Sequence, residues 1–341
     1  MEYLYDAWYV AAMSSEFPDD GIFAREFLGV GVAMFRQADG TIAAVRDQCP
    51  HRFAPLSRGK CIGDTIECKY HGLRFNGLGE CVLNPHGDVI PPNAHIRHFP
   101  VEERFGLVWI WMGDPDRADR RKIPDLEFLQ QSDYRRTIFN YIFAEYRSDI
   151  LVDNLVDLSH ADYLHVGTFS GGPGEDTQLK VWEEGDAVVA ERVQIRAPTP
   201  PIAGFLGPYT DSTFLLKWQP GNVLSYSIRM VSSDPALHGE ELQQFAHIVT
   251  PANHERTHYF MAVTRPLNGR DPPIEARAAN QRRVVSEEDG PMLMAVHQQM
   301  DGRELMSLNP LVLPTDAASL RIRRVIKRLK KRDSADLVPL S

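Results

Sequence analysis

The sequence predicts an α+β protein of two domains, an all-β domain at the N-terminus followed by an antiparallel sheet with helices. Short runs of β-branched, aromatic and apolar residues, separated by Gly, Pro, Asn and Asp, fill residues 3–115. Alternating segments return at about 178–266, and helical spacing flanks them at 140–167 and 273–302. The length of 341 residues suits two domains better than one.

A connector rich in Pro, Arg and Asp, residues 113–124, is the clearest boundary in the sequence. We therefore expect domains at 1–115 and 116–341. The strands expected in the first domain are YLYDAWYVAA, FAREFLGVGVAMFR, TIAAVRD, TIECKYHGLRFN, ECVL and GLVWIWM. Those expected in the second are VWEE, AVVAERVQI, STFLLKW, VLSYSIRMV, FAHIVT and THYFMAVTR.

The composition is that of an ordinary globular protein, with 43% hydrophobic and 24% charged residues. The net charge is −9, but the last 21 residues carry +6, so the remainder is acidic and argues against general nucleic-acid binding. No run approaches the roughly 20 apolar residues of a membrane span, and the N-terminus does not resemble a signal peptide. We therefore expect a cytoplasmic protein without membrane contact.

The four cysteines are clustered, which indicates metal or redox chemistry rather than a disulfide scaffold. Cys49 and His51 form a C-x-H pair, and Cys68 and His71 follow as C-x-x-H. Thiolates on one iron and neutral imidazoles on the other are the ligands of a Rieske [2Fe–2S] cluster.

The motif has two alternative interpretations. A zinc site accepts the same residue types but usually pairs C-x2–4-C with H-x3–5-H, whereas each half of this motif holds one Cys and one His. The other alternative is four buried residues without a metal. Cys61 and Cys81 lack a histidine at matching spacing and are expected to be plain thiols.

A second group of metal-capable side chains comprises Asn154, Asp157, His160 and His165. It suggests part of a 2-His-1-carboxylate site for non-haem Fe(II). The first three are spaced at i, i+3 and i+6, so on one helix their positions would shift only gradually around one face. His165 would lie about 140° from His160 on an ideal helix. The helix must therefore end or widen into a π turn between them, and Gly167 is well placed to end it.

The third iron ligand must come from elsewhere in the chain. Residues 286–291, SEEDGP, offer three adjacent carboxylates at a helix interruption, although such a run is otherwise a solvated acidic face. A buried histidine in an amphipathic helix also often has a purely structural role. His247, on the expected strand FAHIVT, could pair with a substrate carboxylate, but strand histidines more often belong to the core or surface.

The chain resembles, nearly end to end, the oxygenase components of the Rieske non-haem iron aromatic oxygenases. The residues that carry the resemblance are CPHR and CKYHGLRF, GLVWIWMGDP, DNLVDLSHADYLHVGT, THYF, EED and DAASLRIRRVIKRL. The branch with vanillate O-demethylase, dicamba monooxygenase and toluenesulfonate methyl-monooxygenase is the most similar. Ser286 departs from the pattern, because an aromatic residue often precedes EED.

The resemblance implies a Rieske domain followed by a catalytic domain of the helix-grip, START-like fold. It implies that His160, His165 and Asp289 bind the mononuclear iron and that Asn154 lies near it. Asp157 would bridge a Rieske histidine and an iron-ligand histidine. In the family these belong to different subunits of a head-to-tail homotrimer, an arrangement that closes naturally at three.

The resemblance also implies a reaction that uses O2 and electrons from a separate NAD(P)H-dependent reductase. The expected reaction is monooxygenation of a small aromatic acid, and in particular O-demethylation of a methoxybenzoate with release of formaldehyde. Ring or benzylic hydroxylation of another aromatic acid or sulfonate is the alternative. A Rieske electron-transfer or binding protein without catalytic iron is a different class, and the histidine cluster argues against it.

The basic C-terminal segment is predicted to form an amphipathic helix. Ile322, Val325, Ile326 and Leu329 recur at i, i+3, i+4 and i+7 and form one apolar stripe. Eight of the twelve residues at 321–332 are basic. The cationic face either is simply solvated or receives an acidic reductase domain.

Overall fold

The computed structural model describes residues 3–18, 20–130, 135–266 and 274–335. The chain divides between Ile123 and Pro124 into two compact units, except that Thr250–His254 belongs with the first. The predicted boundary between residues 115 and 116 falls earlier in the chain and stays a prediction. None of the helices in the described ranges combines the length and apolar character needed to cross a membrane.

The first unit is all-β, as predicted, and its described strands form three antiparallel sheets with the orders β1-β11-β10, β2-β3-β4-β9 and β5-β6-β7-β8. The strands are β1 Trp8–Met13, β2 Phe23–Phe27, β3 Val30–Arg36, β4 Ile42–Arg46, β5 Lys60–Ile62, β6 Thr65–Glu67, β7 Arg74–Asn76, β8 Cys81–Leu83, β9 His98–Phe99, β10 Val101–Arg104 and β11 Leu107–Trp111. β11 is buried along its whole length. The loops β4–β5 and β6–β7 contain the two halves of the Cys/His motif.

The second unit is built on a seven-stranded antiparallel sheet of order β12-β18-β17-β16-β15-β14-β13. Its strands are β12 Arg135–Ala144, β13 Asp176–Glu184, β14 Ala187–Pro198, β15 Tyr209–Gln219, β16 Val223–Ser232, β17 Glu240–Pro251 and β18 Thr257–Pro266. Its helices are α1 Ser148–Val156, α2 Ala161–Leu164, α3 Ile274–Val284, α4 Gly290–Met300 and α5 Ala317–Ala335, with a π turn at Val285–Asp289 joining α3 to α4. This is the predicted α+β catalytic domain.

Two parts of the helix prediction at 140–167 are wrong. Residues 140–144 continue β12, because this segment pairs residue by residue with β18. In addition, α1 ends at Val156, and Asp157 has extended backbone angles (φ −80°, ψ 95°). Asn154, Asp157 and His160 are therefore not on one continuous helix.

One face of this sheet, called here the site face, carries Tyr226, His247, Tyr259 and Asn140. Tyr226 is paired with Phe245, two residues before His247, and side chains two apart on a strand share a face. The Tyr259 hydroxyl is hydrogen-bonded to His247, so the two side chains lie on the same face. Tyr259 is also paired across the strands with Ile142, and Asn140, two residues before Ile142, therefore shares that face.

Helices α1 and α3 cover the site face. The Tyr226 hydroxyl donates to the Leu155 carbonyl of α1 over 2.7 Å, and the Asn140 amide donates to the Ala278 carbonyl of α3 over 2.7 Å. Because each bond joins a site-face side chain to a helix backbone, both helices lie against the same side of the sheet.

The predicted C-terminal helix is α5, and its apolar stripe is the docked side. Ile322, Val325 and Leu329 are buried, whereas Ile326 is half-buried. Part of the basic face is neutralised within the chain, since Arg323 pairs with Asp153, Arg328 with Glu183 and Arg332 with Asp186. The helix thus has a structural role, and a role in receiving a reductase stays a prediction.

Candidate metal centres

The two halves of the Cys/His motif form equivalent turns in the first unit. The Cys49 carbonyl accepts from the Phe53 amide, and the Cys68 carbonyl accepts from the Gly72 amide, each over 2.9 Å. Phe53 and Gly72 both have left-handed backbone angles, with φ of 57° and 74°. Glycine adopts this conformation freely, so Gly72 supports its turn without strain. Phe53 supports the matching turn in the other loop, and nothing in the sequence singled it out.

These turns bring the predicted cluster residues together in pairs. Cys49 and Cys68 are buried beside each other, and burial, followed by the neighbouring Cys68 sulfur, raises the pKa of Cys49 to about 11. The rings of His51 and His71 have centroids 4.4 Å apart. Desolvation, together with His51 and Arg52, lowers the pKa of His71, which favours the neutral imidazole that a metal requires.

The spacing of the four donors fits two metal ions better than one. A single zinc ion would draw two sulfurs and two nitrogens together around one point. Among the described residues, however, the only group of three or more such donors within 4.8 Å of one another is elsewhere, in the second unit. A sulfur pair and a separate imidazole pair suit a [2Fe–2S] cluster with one iron per ligand type. Cys61 and Cys81 lie in β5 and β8 and are free thiols.

The compact donor group in the second unit consists of His160, His165 and Asp289. Nε2 of His165 lies 3.3 Å, and Nε2 of His160 3.6 Å, from Oδ1 of Asp289. The same Oδ1 accepts a 2.9 Å hydrogen bond from the Asn154 amide. His165 and Asp289 are buried and His160 is half-buried. The sequence prediction named all four of these residues.

Short helix α2 separates the two histidines. His160 directly precedes it and His165 directly follows it, with the backbone leaving helical angles at His165 (φ −110°, ψ 24°). The predicted interruption is therefore a helix end rather than a π turn. Gly167 has φ of 83° but lies beyond that end, in the following turn.

Hydrogen bonds fix the tautomer of both histidines. Nδ1 of His160 donates to the Asp157 carbonyl, and Nδ1 of His165 donates to Glu288 over 2.7 Å. Because neither oxygen can donate, both Nδ1 atoms carry hydrogen, and both Nε2 atoms face the Asp289 carboxylate. When the imidazoles are neutral, both Nε2 atoms are free to bind a metal beside that carboxylate, and two imidazoles with one carboxylate fit the donor set of Fe(II).

The electrostatics of the donor group are those of closely paired opposite charges. Burial lowers the pKa of His165, but its bonds to Asp289 and Glu288 outweigh burial, and the net shift is upward. Burial raises the pKa of Asp289, but His165, His160 and Asn154 outweigh it, and the net shift is downward.

The three adjacent acids of the EED motif have different surroundings. Asp289 ends the π turn and joins the donor group, whereas Glu288 bonds to the far nitrogen of His165 and to the Thr168 hydroxyl. Glu287 is exposed and pairs with Arg283 at 3.1 Å. Nothing in the sequence indicates that Glu288 orients His165, because the two residues are distant in the sequence.

Asp157 uses its backbone rather than its carboxylate towards His160. One carboxylate oxygen accepts from the Ser159 amide (2.8 Å) and hydroxyl (2.6 Å), while the Asp157 carbonyl accepts from His160. The bridge between subunits that was expected of this side chain stays a prediction.

A buried ion pair, called here the α2 clamp, holds α2 to the sheet. Asp162 in α2 pairs with Arg192 of β14 and also accepts from Gln194 (3.1 Å) and Ser170 (3.2 Å). Arg192 further donates to the Leu158 carbonyl over 2.7 Å. The guanidinium thus binds the chain two residues before and two residues after His160. Asp162 and Arg192 were not predicted as site residues.

His247 lies on the site face and is buried, with its Nδ1 bonded to the Tyr259 hydroxyl. Burial lowers the pKa of His247 to about 4. Asp289 acts in the opposite direction and raises this pKa, whereas His160 lowers it further. These interactions place the neutral imidazole in the electrostatic environment of the donor group, and its contact with a substrate stays a prediction.

Comparison with known proteins supports both halves of this description. Residues 7–99 match the Rieske [2Fe–2S] domain, and residues 145–332 match the vanillate O-demethylase oxygenase C-terminal domain.

Relatives and a solved structure that match nearly the whole chain also support it. The oxygenase component of chloroacetanilide N-alkylformylase from Rhizorhabdus wittichii is 35% identical, covering 95% of both chains. That of dicamba O-demethylase from Stenotrophomonas maltophilia is 33% identical, covering 98% of this chain and 100% of the relative. The crystal structure of dicamba monooxygenase bound to dicamba, 32% identical, superposes with a TM-score of 0.85 over 98% of this chain and 100% of that one. The chain therefore belongs to the Rieske non-haem iron oxygenases, as an oxygenase component with a catalytic domain of the vanillate O-demethylase type.

Proposed function

We propose that this oxygenase component monooxygenates a small aromatic acid, and that the reaction is O-demethylation of a methoxybenzoate-like substrate. The observation that carries the proposal is the group of His160, His165 and Asp289, whose Nε2 and carboxylate atoms converge. This group is close enough to the site face to affect the pKa of His247 and of the buried Tyr226. The dicamba and vanillate O-demethylases among the relatives support the reaction type.

The metal ligands follow from the two donor sets. Cys49, Cys68, His51 and His71 would hold the [2Fe–2S] cluster, and His160, His165 and Asp289 the mononuclear Fe(II). When bound, the cluster supplies electrons and the mononuclear iron supplies reactivity towards O2.

The surrounding residues of the chain prepare the mononuclear site. Glu288 keeps Nδ1 of His165 protonated, and the Asp157 carbonyl does the same for His160, so both Nε2 atoms remain available to metal. The Asn154 amide donates to Asp289 and restricts the orientation of its carboxylate. His247, held by Tyr259, would donate from Nε2 to a substrate oxygen.

The partners of the reaction are also part of the proposal. A separate NAD(P)H-dependent reductase would supply electrons, since the sequence has neither a GxGxxG fingerprint nor a Walker loop. A cytoplasmic homotrimer, with the cluster of one subunit serving the iron of the next, is the expected assembly. The relatives named as oxygenase components support the need for a separate partner.

A coupled assay tests this function. Purified protein, a reductase and NADH are combined with methoxylated, halogenated and sulfonated aromatic acids, and O2 uptake and formaldehyde are measured. The proposal predicts formaldehyde in proportion to O2 with at least one methoxybenzoate. Hydroxylated product without formaldehyde would indicate the ring or benzylic hydroxylase instead, for which the relative named toluene-4-sulfonate monooxygenase gives support. NADH oxidation without any product would contradict both.

One observation favours a second candidate, oxidative N-dealkylation of a neutral aromatic amide. The buried side chains named on the site face are Tyr226, His247 and Tyr259, and none of these is a lysine or arginine. A buried carboxylate would therefore be bound by neutral donors alone, whereas an uncharged amide needs no counter-charge. The N-alkylformylase relative supports this candidate, and adding N-alkyl anilides to the same assay distinguishes it.

A further inference from the structure

Gln281 of α3 is buried, but its amide is not paired. Its relative exposure is 7%, and its Oε1 has no hydrogen-bond partner among the residues that the structure describes. Buried side-chain amides in folded proteins are nearly always paired with protein or with ordered water. A buried amide without a partner therefore needs a specific explanation, and a bound ligand is one.

The position of Gln281 on α3 places it over the site face. One turn earlier in the helix, the Ala278 carbonyl accepts a hydrogen bond from Asn140, which belongs to that face. Ala278 and Gln281 are both buried and lie at i and i+3, so they share the side of the helix that meets the sheet.

The same side of the helix leads to Asp289. At i and i+8, the two residues would lie about 80° apart on an uninterrupted α-helix. The π turn at Val285–Asp289 has more residues per turn and reduces that angle, bringing Gln281 and Asp289 onto one side. Gln281 thus lies over the sheet face that carries His247 and on the helix side that presents the candidate iron ligand.

The second polar group available there is His247. Its Nδ1 is used by Tyr259, and its Nε2 has no hydrogen-bond partner among the described residues. A phenol whose pKa is raised well above the usual value by burial stays protonated and can donate to Nδ1, and in that tautomer Nε2–H is a donor without a partner. A buried imidazole and a buried carboxamide, both with an unpaired polar atom, therefore belong to the sheet face and to the helix that covers it.

We propose that Gln281 is a specificity-determining residue whose carboxamide accepts a hydrogen bond from an O–H or N–H group of the substrate, while His247 donates to a substrate oxygen. This rests on the proposed function and adds to it the class of substrate. The substrate is a methyl- or alkyl-bearing aromatic compound with a hydrogen-bond donor on the ring, either a phenol hydroxyl or an anilide N–H. A site that binds a donor in this way discriminates strongly against analogues that lack it.

The test uses ligand pairs that differ in the donor. 4-Hydroxy-3-methoxybenzoate is compared with 3-methoxybenzoate and 3,4-dimethoxybenzoate, and 4-methoxyacetanilide with its N-methyl derivative. Dissociation constants are measured by calorimetry on the full-length protein with both metals, and KM and kcat by formaldehyde release. The proposal predicts that the donor-bearing member of one pair binds about tenfold more tightly. The pair that shows the preference identifies the donor as O–H or N–H.

Two variants connect the preference to Gln281. Gln281→Leu should abolish it mainly through the dissociation constant and KM, with a thermal midpoint no lower than wild type, because it removes an unpaired buried group. Gln298→Leu, at an exposed position of α4, should retain it.

The outcomes separate this inference from the proposed function. A preference that depends on Gln281 without formaldehyde release would support the inference and contradict demethylation. Formaldehyde release with no donor preference, or with a preference that Gln281→Leu retains, would overturn the inference and leave demethylation standing. Failure of every donor-bearing compound to bind would overturn the inference as well.

Discussion

Individual residues around the donor group combine a buried position with a defined protonation state. His247 is the clearest case, because burial lowers its pKa to about 4 while an unfolded chain would have the ordinary value of 6.5. Asp289 opposes this shift and His160 adds to it. The neutral imidazole can therefore serve as a hydrogen-bonding group throughout the neutral pH range.

This pKa shift predicts a dependence of stability on pH. Between pH 6.5 and 4 the unfolded chain binds a proton at His247 and the folded chain does not, so folding stability falls as the pH falls through this window. The total loss from this residue is about 3 kcal/mol, and its contribution is constant above pH 6.5.

Urea unfolding of wild type and His247→Gln at several pH values measures the effect. The difference in unfolding free energy between wild type and His247→Gln should be constant above pH 6.5. Towards pH 4 the wild type should lose more stability than the variant. Two curves that run parallel across the whole range would show that His247 titrates alike in folded and unfolded protein.

The residues of the two candidate metal sites differ in how far the sequence predicted them. Cys49, His51, Cys68 and His71 were predicted as cluster ligands from spacing alone, since a cluster requires specific ligands at short separations. Glu288 was not assigned, because its bond to His165 joins segments 123 residues apart in the sequence. Nothing in the sequence pointed to Gln281, since the lack of a hydrogen-bond partner for its amide can be seen only in the packed structure.

At the scale of elements, strands were predicted better than helix ends. Alternation of apolar residues identifies a strand locally, whereas the π turn at Val285–Asp289 depends on how the backbone hydrogen bonds shift along a helix. Pro291 contributes to that shift, because it has no amide hydrogen to donate to Glu287. The sequence suggested a helix interruption at this position but considered a π turn only between the histidines.

Helix α2 is too short to hold two metal ligands in place by its own hydrogen bonds. We therefore expect the α2 clamp to stabilise the positions of His160 and His165. Arg192→Met would leave Asp162 buried without its charge partner and should lower the unfolding free energy by about 3–5 kcal/mol. It should also weaken Fe(II) binding at the mononuclear site about tenfold, because His160 and His165 lose their support. The visible spectrum of the [2Fe–2S] cluster should be unchanged.

A second buried ion pair in the same unit provides the control. Arg277 and Glu241 are 10% and 8% exposed, close to the 6% and 4% of Arg192 and Asp162. Arg277→Met should lose stability but retain mononuclear iron. If both variants bind Fe(II) equally well in titrations of folded protein, the clamp is a stability element without a role in positioning the ligands.

At the scale of the whole molecule, the proposed trimer makes Asp157 a connection between subunits. Asp157→Asn should slow oxidation of a pre-reduced cluster in single turnover, because an amide lacks the charge that stabilises a protonated imidazole at either end. The local turn should survive, since the Asn oxygen can still accept from Ser159. Both metals should remain bound.

Two results would count against this account of Asp157. Loss of mononuclear iron would make it a ligand, and cluster oxidation at the wild-type rate would make it a bystander. Mixed trimers of wild-type and variant chains offer a further check, because activity should follow the fraction of interfaces that retain the carboxylate.

The central claim is that one chain holds a [2Fe–2S] cluster and, separately, a mononuclear iron bound by His160, His165 and Asp289. Quantifying iron and acid-labile sulfide per folded chain, in wild type and in His160→Ala, tests it directly. The account predicts about three irons and two sulfides in wild type, and about two irons with two sulfides and an unchanged cluster EPR signal in the variant. Two irons in wild type, or three irons retained in His160→Ala, would contradict it.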